Sequence, residues 1–215
     1  MTNPRSSGES LIFPIGHYMG AFYPEVGAPV KYHRVRVGDR SVRLDTHDEV
    51  TVWALTHGVP DLAEHIDWTR NRVEELARDG GVAKPGRLID DFLAEGILAE
   101  VTPGTADAIE FARGHRLQPL MVGMGNTAQD PSLFRIGYAD RPTLTIPSNL
   151  YELWEWGHLF DLWQACELFA DVARDTRSPD PGSTDPKRIL TGFLSSMHLL
   201  LSHSAAYLDE VVSDD

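Results

Sequence analysis

Between Lys31 and Asp45 apolar and polar residues alternate. His33, Val35 and Val37 interleave with Arg34 and Arg36. After a Gly-Asp turn, Val42 and Leu44 interleave with Ser41 and Arg43. A period of two on both sides of a turn predicts a hairpin with one apolar face. The period then changes. In THDEVTVWALTHG, Thr46 stands three residues before Glu49 and Gly58 closes the stretch, which predicts a helix with a capping box and a glycine stop. A second helix is expected in DWTRNRVEELARDGG and a third in KPGRLIDDFLAEGIL. In the third, Leu88, Ile89, Phe92, Leu93 and Ile97 form one stripe at helical spacing. Gly96 breaks it before a short strand, ILAEV.

The same pattern returns 101 positions later. FRIGYADRPTLTI follows HRVRVGDRSVRLD, Trp154 follows Trp53, His158 follows His57, and Phe193-Leu194 follows Phe92-Leu93. Upstream, Pro14 and Met19-Gly20 meet Pro119 and Met124-Gly125 at a shift of 105, which a loop difference of four residues explains. Matches at one offset, in one order of elements, point to an internal duplication. Residues 31–98 and 132–199 should share a skeleton. The expected fold is α+β, with two winged-helix-like repeats (a hairpin plus three helices each) and a long C-terminal helix running through LLLSHSAAYLDEV. The boundaries read as a disordered tail at 1–12, a first repeat at 13–103, a linker at 104–115 and a second repeat at 116–212. RDTRSPDPGSTDP, 174–186, reads as a longer loop in the second repeat. An apolar terminal helix of that length is expected to pack across another domain or to pair two subunits in a homodimer.

Charge narrows the partner class. The chain carries a formal net charge of -13, which argues against broad contact with nucleic acid or anionic lipid. Yet residues 31–45 hold five basic residues against two acidic ones. Arg34, Arg36 and Arg43 are expected on the solvent side of the hairpin, where they would attract an acidic peptide or protein. A solvated face that discourages sheet-to-sheet pairing is the plainer alternative. The third helix of the first repeat has three acidic residues against two basic ones, which does not suit a DNA-reading helix. One cysteine, Cys166, excludes an internal disulfide. No apolar run nears the ~18 residues of a membrane span. The chain reads as cytoplasmic, with no membrane partner.

Candidate chemistry is sparse. Two repeats related by a pseudo-twofold would bring His57 and His158 together as a paired site. Each histidine also suits the last turn of a helix, against the negative end of the dipole. No HExxH spacing occurs, and VGMGNTAQD lacks the Lys-Ser/Thr ending of a phosphate loop. No catalytic residue, metal ligand or cofactor site is assigned on this pattern.

The hairpin VRVGDRSVRLD, the helix DEVTVWALTHG and the closing RLIDDFLAEGIL resemble the PqqD-type winged-helix domains that recognise leader peptides of ribosomally made peptide natural products. The likeness covers residues 31 to 98. It implies that a peptide adds as a strand beside the third strand and packs on the third helix. It places Arg43, Leu44, Arg87 and Asp91 near that peptide and Arg34 and Arg36 at its periphery. The expected function is therefore a non-catalytic peptide- or protein-binding accessory protein in such a biosynthesis. A winged-helix transcriptional regulator and a small enzyme using the His57/His158 pair stand as alternatives.

Overall fold

The computed structural model describes residues 8–63, 65–178 and 180–212. Helices and small antiparallel sheets alternate along them. The first half runs β1 (Leu11–Pro14), β2 (His17–Phe22), β3 (Tyr32–Val37), β4 (Arg40–Leu44), α1 (His47–Leu55), α2 (Pro60–Ala63), α3 (Arg70–Asp79), α4 (Pro85–Ala94) and β5 (Leu98–Val101). A connecting helix, α5 (Ala106–Gly114), leads to β6 (His115–Pro119), β7 (Val122–Gly125), β8 (Leu133–Tyr138), β9 (Arg141–Pro147), α6 (Ser148–Trp156), α7 (Leu162–Asp175), a 3-10 turn at Pro181–Thr184, α8 (Pro186–Ser202) and β10 (Ala206–Glu210).

The order repeats, and so does the pairing. β2-β3-β4 and β7-β8-β9 are three-stranded sheets; β1 pairs with β5 as β6 pairs with β10. The backbone N–H of Ile15 donates to Ile97 O after β1, and Leu120 N–H donates to Ala205 O after β6. Trp53 on α1 and Trp154 on α6 are each 4% exposed, and Phe92 and Phe193 hold matching buried places on α4 and α8. Local chemistry builds these elements as the sequence predicts. Thr46 and Glu49 form a reciprocal capping box on α1. Thr69 caps α3, and α4 and α8 both begin with a proline, whose fixed φ suits a first helical residue.

Three expectations change. The hairpin of each half has a third strand, which extended runs too short to show a period did not reveal. Residues 11 and 12, assigned to a tail, are buried in β1 against β5; of the rest of that tail, 1–7 lie outside the described residues. The long C-terminal helix ends at Ser202. Ser204 takes a left-handed φ of 53°, and residues 206–210 form β10 beside β6. The apolar face of α8 (Leu190, Phe193, Leu194, Met197, Leu200, Leu201) is buried within the chain, so a homodimer through that face loses its basis. No helix among the described residues is long and apolar enough to cross a membrane.

The halves meet head to tail. Ile15 bridges Leu208 of β10 in parallel, and Gly16 N–H donates to Leu208 O at 2.7 Å. A twofold would repeat that joint between β5 and β6, and no such bridge occurs among the described residues. His198 of α8 is buried, with its Nε2 at 2.8 Å from Ile12 O and its ring stacked on Phe13. One contiguous apolar core runs through both halves.

Candidate functional site

The basic hairpin faces its acidic partner inside the chain. Cross-strand partners share a face, and Arg34 pairs with Arg43 while Arg36 pairs with Ser41, so the three arginines do share the outer face of their sheet. β10 lies over the turn end of it. Arg36 Nη2 donates to Tyr207 Oη at 2.8 Å and lies 3.9 Å from the Asp209 carboxylate. Asp209 is 3% exposed and accepts Gly38 N–H at 2.7 Å. Arg40 binds Glu210 at 2.9 Å and the carbonyl oxygens of Glu95 and Gly96. Arg36 is thus a structural contact between halves. Arg34 stays exposed, and Arg43 lies over the Tyr32 ring, 5.2 Å from its centroid. Leu44 is a fully buried core residue that points away from any added strand.

In the first half α1 packs directly on α3 and α4. Arg87 and Asp91, one turn apart on α4, face each other at 3.9 Å in a solvent-exposed ion pair. Asp90 is held by Arg70 at 2.7 Å.

The second half differs. α6 packs on β6, β8 and β9, while α7 packs on α8 and on the 3-10 turn. A cavity of about 750 Å³ opens between α6 on one side and α7 and α8 on the other. This volume is within the range of ligand sites, roughly 300–1,000 Å³. Its apolar wall includes Leu150, Leu153, Phe169, Val172 and Phe193, and Pro147 at the end of β9 borders it. The segment 174–186 supplies Thr176, Ser178, Asp180, Gly182 and Ser183 to its rim. Arg188 of α8 and Glu152 of α6 rise from opposite walls. Burial, then the neighbouring Glu155, pushes the Glu152 carboxyl above its usual range. Asp180 turns a carboxylate oxygen back to Gly182 N–H at 2.8 Å. Beside this cavity β9 hydrogen-bonds to β8 alone, so its other edge is unpaired among the described residues. Apolar walls with few polar groups can take apolar side chains of a ligand and orient them by charge.

Inspection of the repeat alone could have found this difference. At the shift of 101, Arg87 corresponds to Arg188 and Asp91 to Gly192. Both second-half residues line the cavity.

The two histidines are not brought together as a site. His57 sits edge-on against Trp53 at 4.5 Å, at the end of α1, and burial holds its pKa down at about 4. His158 is exposed beyond α6, with Nδ1 at 3.0 Å from Glu155 O. A head-to-tail relation lacks the axis that would have paired them. Cys166 is buried, and burial pushes its thiol up to about 12. Among the described residues no group of three His, Cys, Asp or Glu is placed to hold a metal ion. No family model, curated protein or solved structure matches this chain.

Proposed function

We propose that this chain is a non-catalytic binding protein that takes an extended or helical peptide segment of a partner in the groove of its second half. One observation carries the reading: a cavity of about 750 Å³ between α6 and α8 is bordered by Pro147, the last residue of the edge strand β9. Each half is read as a winged-helix-like unit, and a third-strand, third-helix groove is where PqqD-type domains seat a leader peptide. Main-chain bonds to the edge would give affinity, and the cavity would select side chains. Biosynthesis of a peptide natural product in the cytoplasm is the context proposed. The basic hairpin of the first half is not the docking face in this reading, because Arg36 and Arg40 are already engaged by β10.

The test is a phage-displayed random dodecapeptide library panned on the full chain. Enrichment of a consensus is expected, with hydrogen exchange slowed in β9, α6 and α8 when an enriched peptide is added. Random duplex DNA should bind more weakly than about 10⁻⁴ M at moderate salt. No enriched peptide, together with a tight and salt-steep DNA complex, would replace this reading with the transcriptional regulator.

A further inference from the structure

The two third helices differ at three charged positions, Gly86/Lys187, Asp90/Thr191 and Asp91/Gly192, and the last of these lies in the cavity. On α4, Asp91 neutralises Arg87 one turn away. On α8 the corresponding residue is Gly192, and Arg188 makes no ion pair or hydrogen bond to any described residue. A Cβ at Gly192 would have nothing within 4 Å. One copy thus has its arginine paired and α1 packed on its third helix, and the other has its arginine beside an open cavity without an ion pair among the described residues.

We propose that Arg188 is the specificity residue of the second-half groove, and that it selects a peptide carrying a single carboxylate next to an apolar anchor such as Leu or Phe. This rests on the peptide-binding reading above. The apolar anchor would fill the space between Leu150, Leu153, Phe169 and Phe193. A guanidinium binds a carboxylate through two parallel hydrogen bonds, which fixes orientation as well as charge. A run of acids is disfavoured, because Glu152 and Asp180 line the same cavity. The occupant is a peptide and not a free fatty acid, because the cavity reaches Pro147, the last residue of the edge strand β9, where an extended chain can run on beside the strand.

The experiment uses peptides enriched by the library on the full chain, titrated by fluorescence anisotropy. Enriched sequences should carry one Asp or Glu within a few positions of Leu or Phe. Gly192→Asp rebuilds on α8 the pair that neutralises Arg87, in open space and without removing any contact. It should weaken binding at least tenfold and leave the melting temperature within a few degrees. Arg188→Gln should do the same, and Glu→Gln in the peptide should lose affinity in the wild type but not in Arg188→Gln. Asp91→Gly, the reciprocal change in the first half, should leave binding unaltered. Enriched peptides without acid, or affinities unmoved by Gly192→Asp, would overturn the role of Arg188 while leaving peptide binding intact. Absence of any enriched peptide would overturn both. Decanoate displacing the peptide with an affinity equal to the peptide's own would overturn the choice of occupant.

Discussion

Trp53 and Trp154 show how far equivalence goes for one residue. Both are 4% exposed on matching helices, yet Trp154 Nε1 donates to Ala205 O at 2.8 Å while the buried Trp53 Nε1 has no partner among the described residues. A neutral hydrogen bond contributes about 1 kcal/mol net. Trp154→Phe should therefore cost about 1 kcal/mol more than Trp53→Phe in urea denaturation. Equal losses would mean that the Ala205 bond contributes nothing. The position of both tryptophans was legible from the shift of 101; the hydrogen bond was not, since it depends on a carbonyl 51 residues away in the chain. His57 gives a second prediction at this scale. Its folded pKa, about 4, lies below the model-peptide value of 6.5. Between those values the unfolded chain binds the proton and the folded chain does not, so stability falls as pH drops through that window and levels off below it. His17 and His115 are also lowered by burial and act in the same direction. The difference between wild type and His57→Gln isolates the contribution of this residue, which is up to about 3 kcal/mol. Identical pH profiles from 6.5 down to 4 would show that His57 takes up its proton in the fold.

Within the elements, the two halves fill the same space with different parts. Tyr18 of β2 packs on His33 and Trp53, and the helix position that corresponds to Tyr151 at the shift of 101 is Val50. In the second half the strand position is Gly123 and the helix position is Tyr151, which stacks on Phe134 at 4.6 Å and touches Trp154. A Cβ at Gly123 would run into the Tyr151 hydroxyl. One aromatic ring has moved from strand to helix, and the glycine makes room for it. Gly123→Tyr should then be destabilising by about 1–3 kcal/mol, because its side chain would collide with Tyr151. Tyr151→Val added to it should restore part of the loss, giving a coupling of about 1–3 kcal/mol in a double-mutant cycle. Strict additivity would refute the exchange. Swaps of this kind explain why the helices and the hairpin were readable while the strand before the hairpin was not. VGMG has no alternation, since the place that a Tyr18-like ring would take at Gly123 is filled from α6 by Tyr151. β10 was hidden for another reason. LLLSHSAAYLDEV contains neither glycine nor proline, and helix formers run to its end. The turn at Ser204 is imposed by pairing with β6, almost ninety residues earlier in the chain, and a local period cannot report that.

For the molecule as a whole, two of the five basic residues at 31–45, Arg36 and Arg40, are engaged inside the chain. The sequence shows five basic residues between 31 and 45, and an acidic partner for them was a fair expectation. The partner is β10, whose Tyr207, Asp209 and Glu210 meet Arg36 and Arg40. The corresponding places elsewhere carry no such set: Gly137 stands for Arg36 in the second sheet, and Val101 stands for Asp209 in β5, by the pairing of β5 and β10 with Pro14 and Pro119. A third unit could not continue the stack with the same contacts, so the head-to-tail order closes at two. The Asp209 carboxylate is nearly inaccessible and holds both Gly38 N–H and Arg36, which makes removal of one partner costly because the other charge stays buried. Arg36→Glu, which would be harmless on a free face, should lower stability by about 3–5 kcal/mol. Arg34→Glu, on the exposed part of the same strand, should cost less than about 0.5 kcal/mol. With one core running through both halves and His198 stacked on Phe13 across the joint, the wild type should unfold in a single calorimetric transition whose van't Hoff and calorimetric enthalpies agree. Arg36→Glu should either shift that transition down as a whole or split it, with the half that contains β2-β3-β4 melting first. Two transitions in the wild type, or an Arg36→Glu protein as stable as Arg34→Glu, would mean that β10 rests on the hairpin without holding the halves together.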